Sequence, residues 1–344
     1  MCNIDHLLSR QHAIAEQCAE PLPIPKFNTY CICNLRGGIG KTSLSFNLSY
    51  LADNVLAVDT CPQGNLSYFY NPNYFNSRTS TYDMLLPYFM PGFGKASHVA
   101  QRIEATNHFF NGHNAFYIPS TDMLYNFAST MSFAFSQASA LTGAQQQQLI
   151  DTMLFSLRSE IRRELAETST QKCLIDTSPF FAGATHLAWH ATDALIVPVR
   201  TDQQSINSLS LLLQSLSNPA SPFLRIMPSN NHIPKIQLVV LTHCGWSTRA
   251  GARHQPNQQT RVYLEQVRDL VARYITHFTT SIPENHIVLL DDFLGSGRIS
   301  TAQSKPINLL TAGESATIQR VRVEVNSSVE KIKNQLLFIN NSIW

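Results

Sequence analysis

The chain has 344 residues, of which 44% are hydrophobic and only 14% charged. That supplies a sizeable core and excludes a disordered, collagen-like or fibrous protein. A net charge of +2 leaves no global basic field, so any nucleic-acid contact must come from a local patch. No stretch approaches the roughly 20 apolar residues that span a bilayer. The opening MCNIDHLLSRQHAIAEQCAE has scattered charges and no apolar signal segment. Seven dispersed cysteines, with no CxxC pair, do not form a disulfide framework. Together these features place the chain in the cytosol.

In chain order, residues 1–20 read as weakly helical, and the proline-rich PLPIPK at 21–26 cannot continue the helix. The apolar run Tyr30 to Leu35 leads into RGGIGKTS, followed by a helix over Leu44 to Leu51 and a second apolar run, Val55 to Val58. Further buried strands are expected at Phe116–Ile118, Cys173–Ile175, Ala194–Val199, Ile236–Leu241 and Ile287–Leu290. Helical spacing marks Ser205–Leu216 and Thr260–Ile275. The fold class is therefore α/β, a doubly wound, mostly parallel sheet with helices on both faces. Strands recur to residue 290, which favours one domain over 28–316, preceded by an extension at 1–27. Residues 81–170, including QQQQ at 145–148, read as a partly helical insertion, and 317–344 as an amphipathic helix.

The segment from Leu35 to Thr42 carries the strongest chemistry. Gly37, Gly38 and Gly40, with Ile39 between them, let backbone N–H groups turn inward around a phosphate. The helix that follows, opening at Lys41, Thr42 and Ser43, presents its positive end to the same anion. Lys41 is expected to reach the β- and γ-phosphates of ATP, and the Thr42 hydroxyl to ligate Mg²⁺. The usual pattern places a glycine five positions before Gly40, where this chain has Leu35.

The loop resembles instead the deviant Walker A sequence KGGxGK[ST] of the ParA/MinD family of P-loop ATPases. VDTCPQGN at 58–65 is similar to that family's VDxDPQGN, and CLIDTSP at 173–179 to its Walker B strand. ATDALIVPVRTDQQSINSLSLLLQSL at 191–216, TYDMLLPYF at 81–89 and AQSKPI at 302–307 extend the resemblance over most of residues 28–310. It implies a homodimer that sandwiches two ATP molecules and is switched by them. By the same resemblance, Asp59 and Asp176 would join Thr42 around the metal, and Thr242 and Pro283 would lie near the adenine. The PQGN box and the segment after Walker B place the chain on the ParA side of the family.

Two departures qualify the implied activity. The family's signature lysine, which reaches across the dimer, is here Arg36, which keeps the charge in a planar fork. The aspartate that positions the attacking water is here Cys61, a weak acceptor that is mostly neutral at pH 7. Slow Mg-dependent hydrolysis is expected, or hydrolysis completed by a protein partner.

Other features carry alternatives. Arg249, Arg253, Arg261, Arg268 and Arg273 face two acidic residues, Glu265 and Asp269. They form either a non-specific DNA surface or a solvated helix face. Val329, Ile332, Leu336, Ile339 and Ile343 make an apolar stripe, read as a helix docked on the domain in preference to a membrane anchor. Cys31 and Cys33 read as buried small hydrophobes, and His186 and His190 as ordinary helix histidines, in preference to metal ligands. The resemblance implies a ParA-like switch that partitions or positions DNA or a large assembly. The alternatives are a non-hydrolysing ATP-binding scaffold or sensor subunit of a larger complex and a MinD-like membrane-positioned regulator.

Overall fold

The structure, a computed structural model, describes residues 4–181, 183–247 and 255–344. In chain order the regular elements begin with α1 (Asp5–Ala15), β1 (Thr29–Ile32), α2 (Lys41–Leu51), β2 (Val55–Asp59), α3 (Asn65–Tyr70) and α4 (Thr81–Phe89). They continue with β3 (Gln101–Arg102), β4 (Ala115–Ile118), α5 (Leu124–Ala138), α6 (Gly143–Leu154), α7 (Ser156–Thr168) and β5 (Lys172–Asp176). Next come α8 (Ala184–Ala191), β6 (Ala194–Arg200), α9 (Gln203–Ser217), β7 (Lys235–Cys244), α10 (Gln258–Arg273) and β8 (Ile287–Asp291). The chain closes with α11 (Leu294–Gln303), β9 (Ser315–Ile318), β10 (Val321–Glu324) and α12 (Val329–Ile343).

The strands of the main sheet lie in the order β3-β4-β2-β5-β1-β6-β7-β8, and only β3 runs antiparallel to its neighbour. Alternation along each strand sends side chains to both faces, and both faces are apolar. In β6, Leu195, Val197 and Val199 join one core, while Ala194 and Ile196 join the other. In β8, Ile287 and Leu289 oppose Val288 and Leu290 in the same way. The continuous apolar runs in the sequence are the signature of this two-sided burial. β1 stands between β5 and β6, while the chain crosses from β1 to β2 beyond β5. That reversal of strand order opens a crevice at the carboxyl ends of the strands, where open α/β sheets bind ligands.

The 81–170 span is partly helical, through α4 to α7, but it also delivers β3 and β4 to one edge of the sheet. The 317–344 segment opens not with a helix but within a β9–β10 hairpin, and its helix begins at Val329. Val329, Ile332, Leu336, Ile339 and Ile343 of α12 are each at most 1% exposed, covered by the body of the domain. Tyr30 donates a 2.8 Å hydrogen bond to the Ile343 carbonyl, and Gln335 bonds Asp291. The stripe is thus core, and a membrane anchor would have to pull it off the sheet. Among the described residues, no helix is long and apolar enough to cross a membrane.

His186 and His190 of α8 sit against Phe181, Trp189 and Phe223, with the two imidazole centroids 5.1 Å apart. Both nitrogens of His190 and Nε2 of His186 lack hydrogen-bond partners, and no group of three metal-ligating side chains exists among the described residues. Burial holds both imidazoles neutral: His186 is pushed down to about 4, and His190 well below its ordinary value. As pH falls below about 6.5, the unfolded chain binds protons that the folded chain refuses, so stability is lost. Replacing His190 with Leu removes one such site. In guanidinium unfolding, the stability of His190→Leu relative to the wild type should rise by up to about 1.4 kcal/mol per pH unit between pH 6 and 4. A gap independent of pH would contradict the burial of a neutral imidazole.

Candidate functional site

The loop that leaves β1 turns at Gly38 and Gly40, whose φ angles of 69° and 89° lie in the left-handed region. Side chains are strained there, which is why glycine occupies both positions. A Cβ at Gly38 would meet nothing within 4 Å, so backbone N–H groups of the loop open onto free space. Gly40 caps α2, and the helix's first N–H groups face the same hollow. The hollow is about 210 Å³ and is lined by Gly37 to Ser43 with Cys61, Gln63, Asn65, Thr177 and Pro179. Thr242, at the carboxyl end of β7, donates a 3.1 Å hydrogen bond to the Ile39 carbonyl and so pins the loop from below.

Lys41 is 7% exposed and donates to the carbonyls of Arg36 at 2.7 Å and Asn34 at 3.3 Å. Burial pulls its ammonium pKa down, while Asp176 works against that shift. Asp176 is fully buried at the end of β5 and accepts hydrogen bonds from Thr42 at 2.9 Å and Ser45 at 2.8 Å. Asp59 is its direct partner in the β2–β5 register. Burial, then the neighbouring Asp176, raises the Asp59 carboxyl to about 7, and burial raises Asp176 to about 6. A carboxyl held above its ordinary range and hydrogen-bonded to Thr42 beside the loop suits a divalent cation, and Thr42 and Asp176 are the side chains that could hold one, directly or through water.

Asp59 does not share that placement. Its oxygens accept from the Cys61 N–H at 3.0 Å, the Ser67 N–H at 2.8 Å and the Ser67 hydroxyl at 2.7 Å. It therefore fastens the 61–67 turn to the end of β2, and it does not line the hollow. Cys61 does line it, 5% exposed, with its thiol pushed up to about 12 by burial and by Asp59. The thiol in the hollow is therefore neutral at pH 7. Gln63 and Asn65 bring amide groups into the same hollow, 3.3 Å from each other. They belong to the PQGN segment, but neither was singled out from the sequence.

Arg36 is neither solvated nor extended outward. Its guanidinium pairs with Asp202 and donates to the Ser205 hydroxyl at 2.6 Å. Asp202 also caps α9 by accepting the Ser205 N–H at 2.9 Å, so α9 holds the arginine back over its own loop. Pro283 corrects an expectation. It begins the 3₁₀ turn Pro283–His286 at the amino end of β8, the end of the sheet opposite the loop. The cavity beside the loop is lined instead from the carboxyl end of that strand, by Asp292 and Phe293.

The arginine group is only partly seen. Arg249 and Arg253 lie outside the described residues. Arg268 is paired with Glu284 at 2.9 Å, and Arg261 donates to Gln255 at 3.0 Å. Arg273 lies about 120° around α10 from Arg261 at 3.6 residues per turn. Among the described residues α10 therefore carries no continuous basic stripe.

The AAA domain family (AAA_31) matches residues 27–222 of the chain. The sporulation initiation inhibitor protein Soj of Bacillus subtilis is 26% identical over 189 residues, which are 54% of this chain and 63% of Soj. The chain thus matches less than two thirds of that relative's length. Among solved structures, apo McdA of Cyanothece is 17% identical, with a TM-score of 0.52 over 81% of this chain and 91% of McdA. An McdA variant in complex with ATP is 18% identical, with the same TM-score over 82% and 89%. These two likenesses are of fold. With a matched span over more than half of its length, the chain belongs to the AAA domain family (AAA_31), and its likenesses support the ParA/MinD family of P-loop ATPases.

Proposed function

We propose that the chain is a ParA-like switch that dimerises around Mg·ATP and partitions or positions DNA or another large assembly. Its hydrolysis is slow or completed by a partner protein. The observation that carries this reading is the hollow itself. Left-handed glycines, the α2 terminus, Lys41 and Thr42 converge on one phosphate-sized space, Cys61 lines it, and Asp176 stands behind Thr42, to which it is hydrogen-bonded. Lys41 would leave the Arg36 and Asn34 carbonyls for the phosphates, and Thr42 and Asp176 would hold Mg²⁺. The bound cation would stabilise charge on the transferring phosphoryl group, the larger share of such catalysis. Positioning of the water is the share this chain lacks, because the Cys61 thiol is neutral and buried.

The same thiol supports the alternative, an ATP-holding scaffold that does not turn over. Non-specific DNA contact is a weaker part of the proposal, since Arg268 is already paired and α10 shows no basic stripe. A DNA platform would depend on Arg249, Arg253, Arg261 and Arg273 together.

Three measurements follow from the geometry. In multiple-turnover assays the wild type should hydrolyse ATP slowly, and Cys61→Asp should raise the rate about 10²-fold, the scale of a positioned general base. Lys41→Ala should abolish nucleotide binding. Equal rates for wild type and Cys61→Asp would mean that another group, such as Gln63, positions the water. Asp176→Asn relieves a buried like-charge contact, so its melting temperature without nucleotide should match or exceed wild type. The added stability that Mg·ATP gives the wild type should vanish in this variant, and its retention would contradict the metal assignment. Asp202→Asn keeps the α9 cap and weakens the grip on Arg36. A partly buried ion pair of this kind is worth about 0.5–1 kcal/mol, so the dimerisation constant should tighten about two- to fivefold for each of the two Arg36 side chains released. Unchanged or weaker dimerisation would mean that Arg36 does not act across the interface.

A further inference from the structure

A second cavity, about 840 Å³, adjoins the phosphate hollow and shares Gly38, Gly40 and Ser43 with it. Its volume lies within the roughly 300–1,000 Å³ of small-molecule clefts. One wall is Phe293 and Leu294, where α11 begins at the carboxyl end of β8. The β9–β10 hairpin, packed against α11, presents Ile318, Gln319 and Val321 to the same cavity. We propose that this hairpin forms a nucleoside-binding wall of the site, with Ile318 and Val321 contacting the base alongside Phe293 and Leu294. The inference rests on the phosphate-loop reading above and adds an element that the family match, ending at residue 222, does not reach.

Three observations carry it. The first is continuity, because the cavity shares Gly38, Gly40 and Ser43 with the hollow and has room for the sugar and base of a nucleotide whose phosphates lie along the loop. The second is chemistry. Leu294 and Val321, 56% and 58% exposed, join Phe293 and Ile318 in giving the cavity an apolar surface that suits a flat ligand. Asp292, Gln319 and Arg298 stand around them as polar groups for the base edge and the ribose. The third is rigidity at the root of the hairpin. A Cβ at Gly295 would come within 2.3 Å of the Glu324 carbonyl, so glycine allows the hairpin to lie directly on α11. Asn326 accepts the Ser296 N–H at 3.1 Å, and Lys305 pairs with Glu314 at 2.7 Å. The hairpin is thus clamped at its base, while its Gln319–Arg320 tip projects at the cavity.

The test is calorimetric titration of the full chain with Mg·ATP and, separately, with magnesium tripolyphosphate, which has no nucleoside. In Val321→Asp the ATP dissociation constant should rise at least tenfold, and that for tripolyphosphate should stay within twofold of wild type. Val321→Ser, a milder change at this exposed position, should show the same selectivity with a smaller loss. If both ligands bind both variants as they bind wild type, the hairpin is not the nucleoside wall, and the phosphate-loop reading stands. An equal loss for both ligands would overturn the proposal by assigning the substitution a general structural effect. If wild type binds neither ligand, the phosphate-loop reading falls and the hairpin's role falls with it.

Discussion

The interaction on which the site depends is the burial of two carboxyls, Asp59 and Asp176, in register on adjacent strands. A pair of like charges in a dry interior is tolerated only when something offsets it. Here Asp59 is offset by three hydrogen bonds from the 61–67 turn, and Asp176 by Thr42, Ser45 and the nearby Lys41. One carboxyl is consumed in building the turn that carries Cys61. The other remains beside the loop with hydroxyl partners that a cation can take over. The asymmetry divides a structural acid from a candidate metal ligand, although the two residues are neighbours in the sheet.

Departures from the family pattern act on the same few ångströms. Arg36 keeps the positive charge, and its fork finds an acceptor in its own chain at Asp202. Cys61 puts a neutral thiol in the hollow. In the proposed cycle both changes fall on the steps after binding, and such a chain would hold nucleotide well and complete its cycle poorly. That division is what a switch with an external off-step requires.

Much of the fold was legible in the sequence because its strands are short apolar runs buried on both faces, and because RGGIGKTS falls between strand and helix. The Asp202 grip on Arg36 was not legible, since the partners are 166 residues apart and local pattern carries no trace of the pairing. The β9–β10 hairpin was missed for a different reason. TIQRVRVE alternates like two strands, but its turn residues, Gln319 and Arg320, take left-handed φ angles of 48° and 69° without the glycine or asparagine that usually marks such a turn. Pro283 was misplaced because local similarity near a strand does not reveal which end of it meets the ligand. Asp59 was placed near the metal by resemblance, and its hydrogen bonds to Cys61 and Ser67 were not legible because the docking of α3 is a tertiary fact. The sequence's strongest motif, by contrast, needs only local backbone geometry, and it folds as expected.

The most direct test of the central claim is sedimentation velocity of the wild-type chain with Mg·ATP, with ATP and EDTA, and without nucleotide. The account predicts a dimer only with Mg·ATP, and one that persists long after mixing because hydrolysis is slow. A chain that binds Mg·ATP yet sediments as the same species in all three conditions would contradict it.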